Sequence, residues 1–338
     1  MTTDTQNSRL IRWGILGCGK IARKFAGDLP LVENAELHAV ASRDGALAQR
    51  FGEEFGATKK FDSYEALVTC SEVDVIYIAT PHGLHYEHVM LCLEHGKAVL
   101  CEKAFALTRW QAEAMVAKAT EKKVFLMEAF WTKFLPQFQK VRELIDSGAI
   151  GEIKLIQADF GFNPDGPVAQ RLYDPALGGG SLLDVGIYPV FLAQTILGRP
   201  EAVSAMMTPH EGTDVDEQCC MMLKFGSGAL ASLSSSFIVH TPVEASINGT
   251  KGRILLRNRF HNAIATLTVI YGKDDAHTIE LERESGYGYQ YEARHVSHCL
   301  RQGLTESPVM THADTLLLLE TLDRLRAACG IHYAPDRQ

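Results

Sequence analysis

The sequence predicts two domains: an α/β domain on a doubly wound parallel sheet, and an α+β domain on a large, mostly antiparallel sheet. One observation is length, because 338 residues exceed what one hydrophobic core usually accommodates. The other is element order, since short apolar runs alternate with helical patterns up to about residue 130, whereas hairpin-like strands fill 201–285. We expect a dinucleotide-binding domain over 1–132 and a substrate-binding domain over 133–338.

The first domain reads as a series of βαβ units. Its strand candidates are rich in Val, Ile and Ala, as expected for a parallel sheet that is buried on both faces. The predicted strands are 11–17, 35–42, 73–79, 97–101 and 124–128. The predicted helices are 20–28, 44–55, 83–95 and 108–121.

The pattern changes after Pro136. Hairpin signals at 226–228 and 248–252 separate strands in the second domain. Its other predicted elements are a helix at 136–147, a strand at 153–162, a loop at 163–178 and helices near 182–197, 289–303 and 311–328.

A glycine-rich turn, Gly17-Cys-Gly19-Lys20-Ile21-Ala22, joins the first strand to the first helix. Gly17 permits the tight turn, Gly19 lets the backbone approach a pyrophosphate, and Ala22 allows close packing of helix and strand. The helix N-terminus favours an anion through its unpaired N–H groups and its dipole. We therefore predict a Rossmann domain with these residues at the cofactor. A tight turn without a ligand is the alternative.

The tip of the second strand carries Ser42 and Arg43, followed by Asp44. An acidic residue at this tip binds the ribose hydroxyls of NAD, whereas an arginine suits the 2′-phosphate of NADP. Asp44 follows one step later, as expected for the N-cap of the next helix. The pattern favours NADP(H) over NAD(H), with a solvated surface role for Arg43 as the alternative.

Thr80, Pro81 and three histidines follow the fourth main strand. His82, His85 and His88 recur every three residues, which raises the question of a metal site. Positions 82 and 88 lie nearly two helical turns apart, and no cysteine or carboxylate completes a ligand set. We expect no metal ion here. Thr80, Pro81, His82 and His85 are instead predicted near the nicotinamide end of a cofactor.

Lys103 comes directly after a buried strand and beside Glu102. At this edge of a parallel sheet, a partly desolvated ammonium near a nicotinamide is suited to assist proton transfer. An ordinary strand-end lysine paired with Glu102 explains the same pattern equally well.

Asp184 and Tyr188 stand four residues apart after the glycine run 178–180, so a helix would place them on one face. Two features complicate this interpretation. Ser181 and Asp184 also fit a capping box, and Pro189 is expected to disturb the helix just beyond Tyr188.

In this order, the motifs resemble those of the Gfo/Idh/MocA oxidoreductase family over nearly the whole chain. The motifs are Gly17–Ala22, Ala79–His85, Cys101–Lys103 and Gly179–Tyr188. The run Met127–Pro136 resembles the subgroup that contains dimeric dihydrodiol dehydrogenase and NADP-dependent D-xylose dehydrogenase.

The resemblance implies an active site lined by Lys103, Asp184 and Tyr188. Many other family members have histidine at the position of Tyr188, which supports the subgroup. Ala104 departs from the family, which usually has proline there, and its presence is expected to loosen the turn that aims Lys103. The family's open antiparallel sheet often forms a dimer face, which implies a homodimer or a higher homo-oligomer.

Together these features predict an NADP-dependent dehydrogenase that oxidises a secondary alcohol of a sugar or cyclic trans-diol. Tyr188 is the expected acid/base, assisted by Lys103, while Asp184 hydrogen-bonds a neighbouring hydroxyl or positions Lys103. This requires Lys103 and Tyr188 to act beside the same nicotinamide ring. The alternatives are a reductase of a keto- or anhydro-sugar and a non-catalytic NADP(H)-binding sensor.

Aromatic residues are expected to contribute to both ligand sites. The substrate-binding candidates are Phe134, Phe162, Arg171, Asp184 and Tyr188. Trp131, Glu102 and Lys103 are assigned to the cofactor. For Trp131 and Phe134, burial in a core between the domains is the alternative.

Composition argues against other classes of partner. The net charge of −8 disfavours a general nucleic-acid surface. No apolar run approaches the roughly 18 residues of a membrane span, and the polar segment Met1–Arg9, expected to be a frayed tail, is no secretory signal. The eight cysteines lack Cys-x-x-Cys spacing, which favours reduced thiols and a cytoplasmic location.

Overall fold

The computed structural model describes residues 9–164 and 171–337, and it divides into two compact units. The first unit comprises the described parts of Met1–Ala106, Trp110–Phe134 and Glu284–Thr315. The second comprises those of Leu107–Arg109, Leu135–Arg283 and Leu316–Gln338. The prediction of a single boundary at 132/133 did not anticipate that the chain returns to the first unit at Glu284–Thr315.

Six parallel strands form the sheet of the first unit, in the spatial order β3-β2-β1-β4-β5-β6. This is the strand order of a dinucleotide-binding doubly wound fold. The strands are β1 (Ile11–Leu16), β2 (Ala35–Ala41), β3 (Lys59–Phe61), β4 (Val75–Ile78), β5 (Ala98–Glu102) and β6 (Leu126–Ala129). Every residue of β4 and β5 is buried, as the continuous apolar pattern predicted.

The helices of this unit alternate with its strands. They are α1 (Lys20–Asp28), α2 (Gly45–Phe55), α3 (Tyr64–Val68), α4 (His85–Glu94), α5 (Arg109–Lys122) and, near the end of the chain, α8 (Tyr289–Arg301). The sequence pattern missed β3 and α3 because each is short and lacks a clear apolar period.

Buried Asp28 attaches the returning segment to the first unit. Its carboxylate accepts hydrogen bonds of 2.9 Å from the backbone N–H groups of Tyr287, Gly288 and Tyr289, at the start of α8. At the other end of α8, Arg301 donates to the carbonyl oxygens of Arg9, Glu33 and Asn34. These contacts are long-range, so local sequence pattern did not reveal them.

The second unit contains an eight-stranded sheet in the order β14-β13-β12-β11-β7-β10-β9-β8. Its neighbouring strands are antiparallel except for the parallel pair β7 and β10. The strands are β7 (Ile153–Gly161), β8 (Pro200–Pro209), β9 (Asp216–Phe225), β10 (Leu230–Ser236), β11 (Ala245–Gly249), β12 (Gly252–Arg257), β13 (Thr266–Tyr271) and β14 (Asp275–Ile279). The predicted mostly antiparallel sheet is confirmed.

Helices accompany this sheet. The helices are α6 (Pro136–Asp146), a π-helical turn (Leu182–Gly186), α7 (Ile187–Leu197) and α9 (His312–Cys329). The segment formed by the π-helical turn and α7, residues 182–197, packs on β7 and β10. The prediction that Pro189 disturbs the helix beyond Tyr188 is wrong, because α7 continues to Leu197. The chain changes from π to α spacing at 186/187, so Pro189 falls in the first turn of α7, where proline is tolerated.

One segment in the described residues, Pro175–Leu197, has the length and hydropathy of a membrane span. This corrects the expectation that no apolar run is long enough. Within its most apolar window, 83% of the residues are buried inside the structure. The segment, which includes the π-helical turn and α7, is therefore part of the buried core of the second unit.

Candidate active site

A pocket of about 610 Å³ lies at the carboxyl ends of β1, β2 and β4 in the first unit. Ligands bind at this edge in open α/β sheets. Six predicted cofactor residues line the pocket, namely Gly17, Gly19, Ser42, Arg43, Thr80 and Pro81. The lining also includes Cys18, Asp44, Leu47, Tyr64, Ala79 and Leu84, which were not predicted as cofactor contacts.

The two glycines of the turn serve different purposes. Gly17 has a φ of +96°, and a Cβ there would lie 2.9 Å from Thr80, so the fold itself requires glycine. A Cβ at Gly19 would lie 4.0 Å from the Ala79 carbonyl oxygen, so the protein leaves room for a side chain. The open space beside Gly19 suits the close approach of a ligand.

Gly19 is also the N-cap of α1 and supplies no side-chain cap, and the first turn carries no acidic residue. The N–H groups there are suited to an anion. Of the other predicted residues, Lys20 is exposed at the start of α1, Ile21 is partly buried, and Ala22 is fully buried. This environment fits a dinucleotide pyrophosphate.

Arg43 lies at the tip of β2, where it contacts Tyr64 at the start of α3. Burial raises the pKa of Tyr64, and the nearby Arg43 guanidinium, which hydrogen-bonds to its hydroxyl, opposes that shift. Asp44 caps α2 as predicted, accepting the Leu47 N–H at 3.1 Å. Arg43 thus lines the pocket wall and is at the same time exposed to solvent.

The histidines after β4 serve the local structure. The ring nitrogens of His85 lie 2.8 Å from the carbonyl oxygens of Thr80 and Ala104, and burial lowers its pKa to about 4. His88 contacts the Thr80 hydroxyl at 2.9 Å. His82 is buried, and its ring centroid lies 5.8 Å from that of His85.

Glu102, at the end of β5, connects Lys103 to the core of the first unit. Its carboxylate accepts hydrogen bonds from the Tyr77 hydroxyl and from the Lys103 backbone N–H, the latter at 3.2 Å. Glu292 of α8 is fully buried, and its pKa is raised well above the usual range by burial and by the nearby Glu102 charge. Lys103 thus follows a buried polar cluster.

The turn after Lys103 is fixed on both sides. His85 contacts the Ala104 carbonyl oxygen, while the Phe105 N–H donates to Glu128 at 3.3 Å. The Lys103–Ala104 peptide bond is cis. Ala104 is fully buried. These contacts hold the turn at the place where the family usually has proline.

Trp131 and Phe134 both pack within the first unit. The Trp131 ring stacks on Tyr289, with centroids 4.8 Å apart and planes inclined by 2°. Phe134 contacts His295 at a centroid distance of 4.9 Å. Neither residue lines the 610 Å³ pocket.

Tyr188 belongs to the first turn of α7 in the second unit. Its ring lies 4.6 Å from that of His261 and 5.7 Å from that of Phe160, measured between centroids. It is 8% exposed, and Asp184 of the π-helical turn is partly exposed. Tyr188 is therefore part of a packed aromatic group, and Asp184 is the more accessible of the two side chains.

A buried polar group begins the helix that carries Asp184 and Tyr188. Asp216 accepts the Ser181 hydroxyl at 2.6 Å and the Leu182 N–H at 2.7 Å. The Ser181 hydroxyl also lies 2.8 Å from that of Ser235. The predicted alternative of a Ser181–Asp184 capping box is wrong, because Ser181 makes no side-chain cap and its hydroxyl bonds to Asp216 instead.

Phe162 and Arg171 flank a loop whose central residues, 165–170, lie outside the described structure. The Phe162 ring packs against Phe160 and Phe237, with centroids 6.3 and 5.3 Å apart. Arg171 is exposed. The predicted role of the loop in substrate binding therefore remains a prediction.

Among the contributors that sequence reasoning missed, Tyr64, His261 and Asp216 bear most directly on the proposed sites. Tyr64 follows its helix N-cap, Ser63, directly beyond the short strand β3, and this position was the available signal. His261 and Asp216 reach their partners through long-range packing. Their local sequence carried no comparable signal.

A glycine turn, an uncapped helix N-terminus and a pocket at the carboxyl edge of a parallel sheet define a dinucleotide-binding Rossmann protein. The comparisons agree. Residues 11–130 match the oxidoreductase family with an NAD-binding Rossmann fold, and residues 138–255 match the Gfo/Idh/MocA C-terminal domain. The chain belongs to the Gfo/Idh/MocA oxidoreductase family.

Relatives match the chain over nearly its full length. It is 37% identical to the trans-1,2-dihydrobenzene-1,2-diol dehydrogenase of Xenopus tropicalis, covering 95% of this chain and 99% of the relative. The 3-ketoreductase KijD10 of Actinomadura kijaniata, solved with NADP and TDP-benzene, is 30% identical with a TM-score of 0.86, covering 95% of this chain and 98% of that one.

A third relative is the aldose-aldose oxidoreductase of Caulobacter crescentus, solved with glycerol. It is 26% identical with a TM-score of 0.87, and the match covers 95% of this chain and 98% of that one. The protein is thus a dehydrogenase that acts on CH–OH groups and has an NAD(P)-binding domain.

Proposed function

We propose that the protein is an NADP(H)-dependent dehydrogenase that oxidises a secondary alcohol of a sugar or cyclic trans-diol. The observation that carries this proposal is the position of Lys103, directly beyond β5. That is the same carboxyl edge of the sheet that carries the glycine turn and Arg43. The edge of the sheet that carries the proposed cofactor site thus also carries a side chain suited to proton transfer.

NADP is proposed because Arg43 lines the pocket and the structurally similar KijD10 was solved with NADP. The guanidinium binds the 2′-phosphate through charge-assisted hydrogen bonds, and Tyr64 orients it. The N–H groups beyond Gly19 hold the pyrophosphate. Arg43 thereby sets the preference for NADP over NAD.

When bound, the oxidised nicotinamide supplies a hydride acceptor for the substrate carbinol carbon. Tyr188 accepts the proton of the substrate hydroxyl as that carbon becomes a carbonyl carbon. Lys103 is proposed as the second acid/base group and orients the substrate oxygen. Its backbone is fixed by Glu102 and by the turn through Ala104.

Asp184 accepts a hydrogen bond from a neighbouring substrate hydroxyl, which favours vicinal diols and sugars. Phe162 contributes an apolar surface for the face of a ring. Arg171 and Phe134 are proposed as further substrate contacts, and Trp131, His82 and His85 as supports of the nicotinamide end. These assignments follow from the family resemblance and from the position of each residue in its own unit.

Reduction of a keto-sugar is the second candidate, and the specific observation that favours it is the similarity to a 3-ketoreductase. In that direction Tyr188 would donate a proton to the substrate carbonyl oxygen, and a bound reduced cofactor would supply the hydride for the carbonyl carbon. The same residues serve both directions. The sensor alternative is set aside because the chain is an enzyme of this family.

The experiment is a substrate panel assayed by the absorbance of the reduced cofactor. Sugars, inositols and trans-dihydrodiols are supplied with NADP and with NAD, and keto-sugars with the reduced forms. The proposal expects turnover of at least one diol or sugar, with higher kcat/KM for NADP. Tight NADPH binding without any turnover, or equal use of both cofactors, would contradict it.

A homo-oligomer is proposed through the exposed face of the eight-stranded sheet. Met206 is 77% exposed and lies opposite the exposed Cys220, and Met222 and Leu230 are 46% and 41% exposed. Sedimentation equilibrium should show a dimer or larger species, and Met206→Glu should shift it toward monomer. A monomeric wild-type protein would contradict the proposal.

We propose a cytoplasmic location. All eight cysteines are free thiols, and most of them are buried. Such thiols suit a reducing compartment.

A further inference from the structure

A second group of ligand-type side chains lies in the first unit, apart from the dinucleotide pocket. It consists of His38 on β2 with Cys70 and Glu72, which lie in the loop between α3 and β4. The potential ligand atoms of these three residues lie within 4.8 Å of one another, and His38 Nε2 is 3.9 Å from Glu72 Oε2. None of the three lines the 610 Å³ pocket.

His38 is arranged as a ligand. The residue is only 6% exposed, and its Nδ1 lies 3.3 Å from Glu36 Oε1. Its buried Nε2 has no hydrogen-bond partner in the described part of the chain. The Glu36 carboxylate favours a proton on Nδ1, which leaves the lone pair of Nε2 directed toward the cluster. A carboxylate in this position is the usual support of a metal-binding histidine.

The donor set selects for zinc. A thiolate, an imidazole and a carboxylate are typical Zn²⁺ ligands, whereas Ca²⁺ and Mg²⁺ prefer oxygen alone. Bond lengths of about 2.0–2.3 Å place ligand atoms roughly 3.3–3.8 Å apart around a tetrahedral ion. The observed separations exceed these values by at most about 1.5 Å, and movement of the half-exposed Glu72 side chain can shorten its own distances to His38 and Cys70.

The cluster already holds a positive charge. The Lys59 ammonium contacts the Glu72 carboxylate and lies 3.9 Å from the Cys70 sulfur. The Lys59 side chain is 38% exposed, so it can turn outward to solvent. Lys97 fixes the loop, because its ammonium donates to the Cys70 carbonyl oxygen at 2.6 Å. A zinc ion therefore competes with Lys59 for an anionic site whose backbone is already in place.

We propose that His38, Cys70 and Glu72 bind one Zn²⁺ ion, with water in the fourth position. Binding releases the Cys70 thiol proton to solvent and displaces the Lys59 ammonium. The ion joins β2 to the loop that precedes β4 and so stabilises the first unit. The histidines considered in the sequence, 82, 85 and 88, are not part of this site.

The test is a zinc titration of the full-length protein, freed of metal and kept reduced with a phosphine. Competition with a chromophoric chelator should give one equivalent of bound Zn²⁺ in the wild type. Cys70→Ser and His38→Gln should each weaken this binding at least tenfold. Cys220→Ser, which replaces an exposed thiol of the second unit, should leave it unchanged.

Lys59→Met provides a gain-of-function variant that does not depend on the folding of the ligand variants. Removal of the competing charge should tighten zinc binding about tenfold. Co²⁺ should give thiolate charge-transfer absorption in Lys59→Met and not in Lys59→Met/Cys70→Ser. The proposal is overturned if the wild type and Lys59→Met bind no zinc, or if Cys70→Ser retains wild-type affinity.

Discussion

The Asp216 carboxylate accepts the backbone N–H of Leu182 at 2.7 Å, at the start of the π-helical turn that precedes α7. This one buried side chain, which belongs to β9, sets the beginning of the segment that presents Asp184 and Tyr188. A Cβ on Gly180 would lie 2.4 Å from Asp216 Oδ1, so the glycine makes room for the carboxylate. Asp216 is a positioning residue for the proposed catalytic segment.

We predict that Asp216→Ala lowers both stability and turnover. The change leaves the buried Leu182 N–H without its acceptor and removes one of the two partners of the Ser181 hydroxyl, which together costs about 2–4 kcal/mol of unfolding free energy. Displacement of Tyr188 should lower kcat at least tenfold, while the Kd for NADPH stays within about twofold. Urea unfolding, steady-state kinetics and fluorescence titration measure these quantities.

Ser63→Ala is the matched control, since Ser63 accepts the Ala66 N–H at the start of α3 in the other unit. Loss of this cap should lower the unfolding free energy by about 1 kcal/mol with little change in kcat. If Asp216→Ala retained the wild-type kcat, Asp216 would have a structural role alone.

Arg43→Ala should change cofactor preference. Loss of the guanidinium removes charge-assisted hydrogen bonds to the 2′-phosphate, each of about 1.5–3 kcal/mol, so KM for NADP should rise by roughly 10- to 100-fold or more. KM for NAD should stay within about twofold, because NAD lacks that phosphate. Steady-state kinetics with both cofactors measures the effect.

Arg50→Ala is the control, because Arg50 is exposed on α2 and does not line the pocket. It should leave both KM values unchanged. An equal rise of KM for NADP and NAD in Arg43→Ala would show that Arg43 does not read the 2′-phosphate.

Glu292→Gln should stabilise the protein at high pH. The pKa of Glu292 is raised by burial, so the folded state keeps a proton that the unfolded state releases. Stability from this group is therefore complete at pH values below its unfolded pKa and declines as pH rises toward its folded pKa. The glutamine amide does not ionise, so the variant does not lose stability in this pH range.

We expect the unfolding free energy of Glu292→Gln to exceed that of the wild type by about 1–3 kcal/mol at pH 8 and to match it near pH 4. Thermal unfolding at several pH values measures the difference, with exposed Glu94→Gln as the control that shows no such trend. A gain that is independent of pH would argue against a protonated Glu292.

The parts of the fold that follow local rules were predictable from the sequence. The glycine-rich run 17–22 joins β1 to the first turn of α1, and Asp44 caps α2, as predicted. Both depend on neighbouring residues alone. Apolar periodicity likewise located the remaining main strands of the first sheet.

Features that depend on distant residues were not predictable. Asp28 binds the backbone of Tyr287–Tyr289, and Asp216 replaces the expected capping box at Ser181. The π-helical turn also escaped prediction, since no residue pattern distinguishes it from an α-helix. For Asp28 and Asp216 the deciding hydrogen bonds join segments far apart in sequence.

The most direct test of the proposed catalytic role is the single-turnover rate of hydride transfer at saturating NADP. It should be measured for Lys103→Met, Tyr188→Phe and the double variant, with exposed Lys273→Met and Tyr271→Phe as controls. In each catalytic variant the hydride-transfer rate should fall roughly 10²–10⁴-fold, with NADPH affinity nearly intact. The double variant should be little slower than either single one if both groups serve the same proton transfer, as proposed. Wild-type rates in either single variant, or losses that multiply in the double variant, would contradict the assignment.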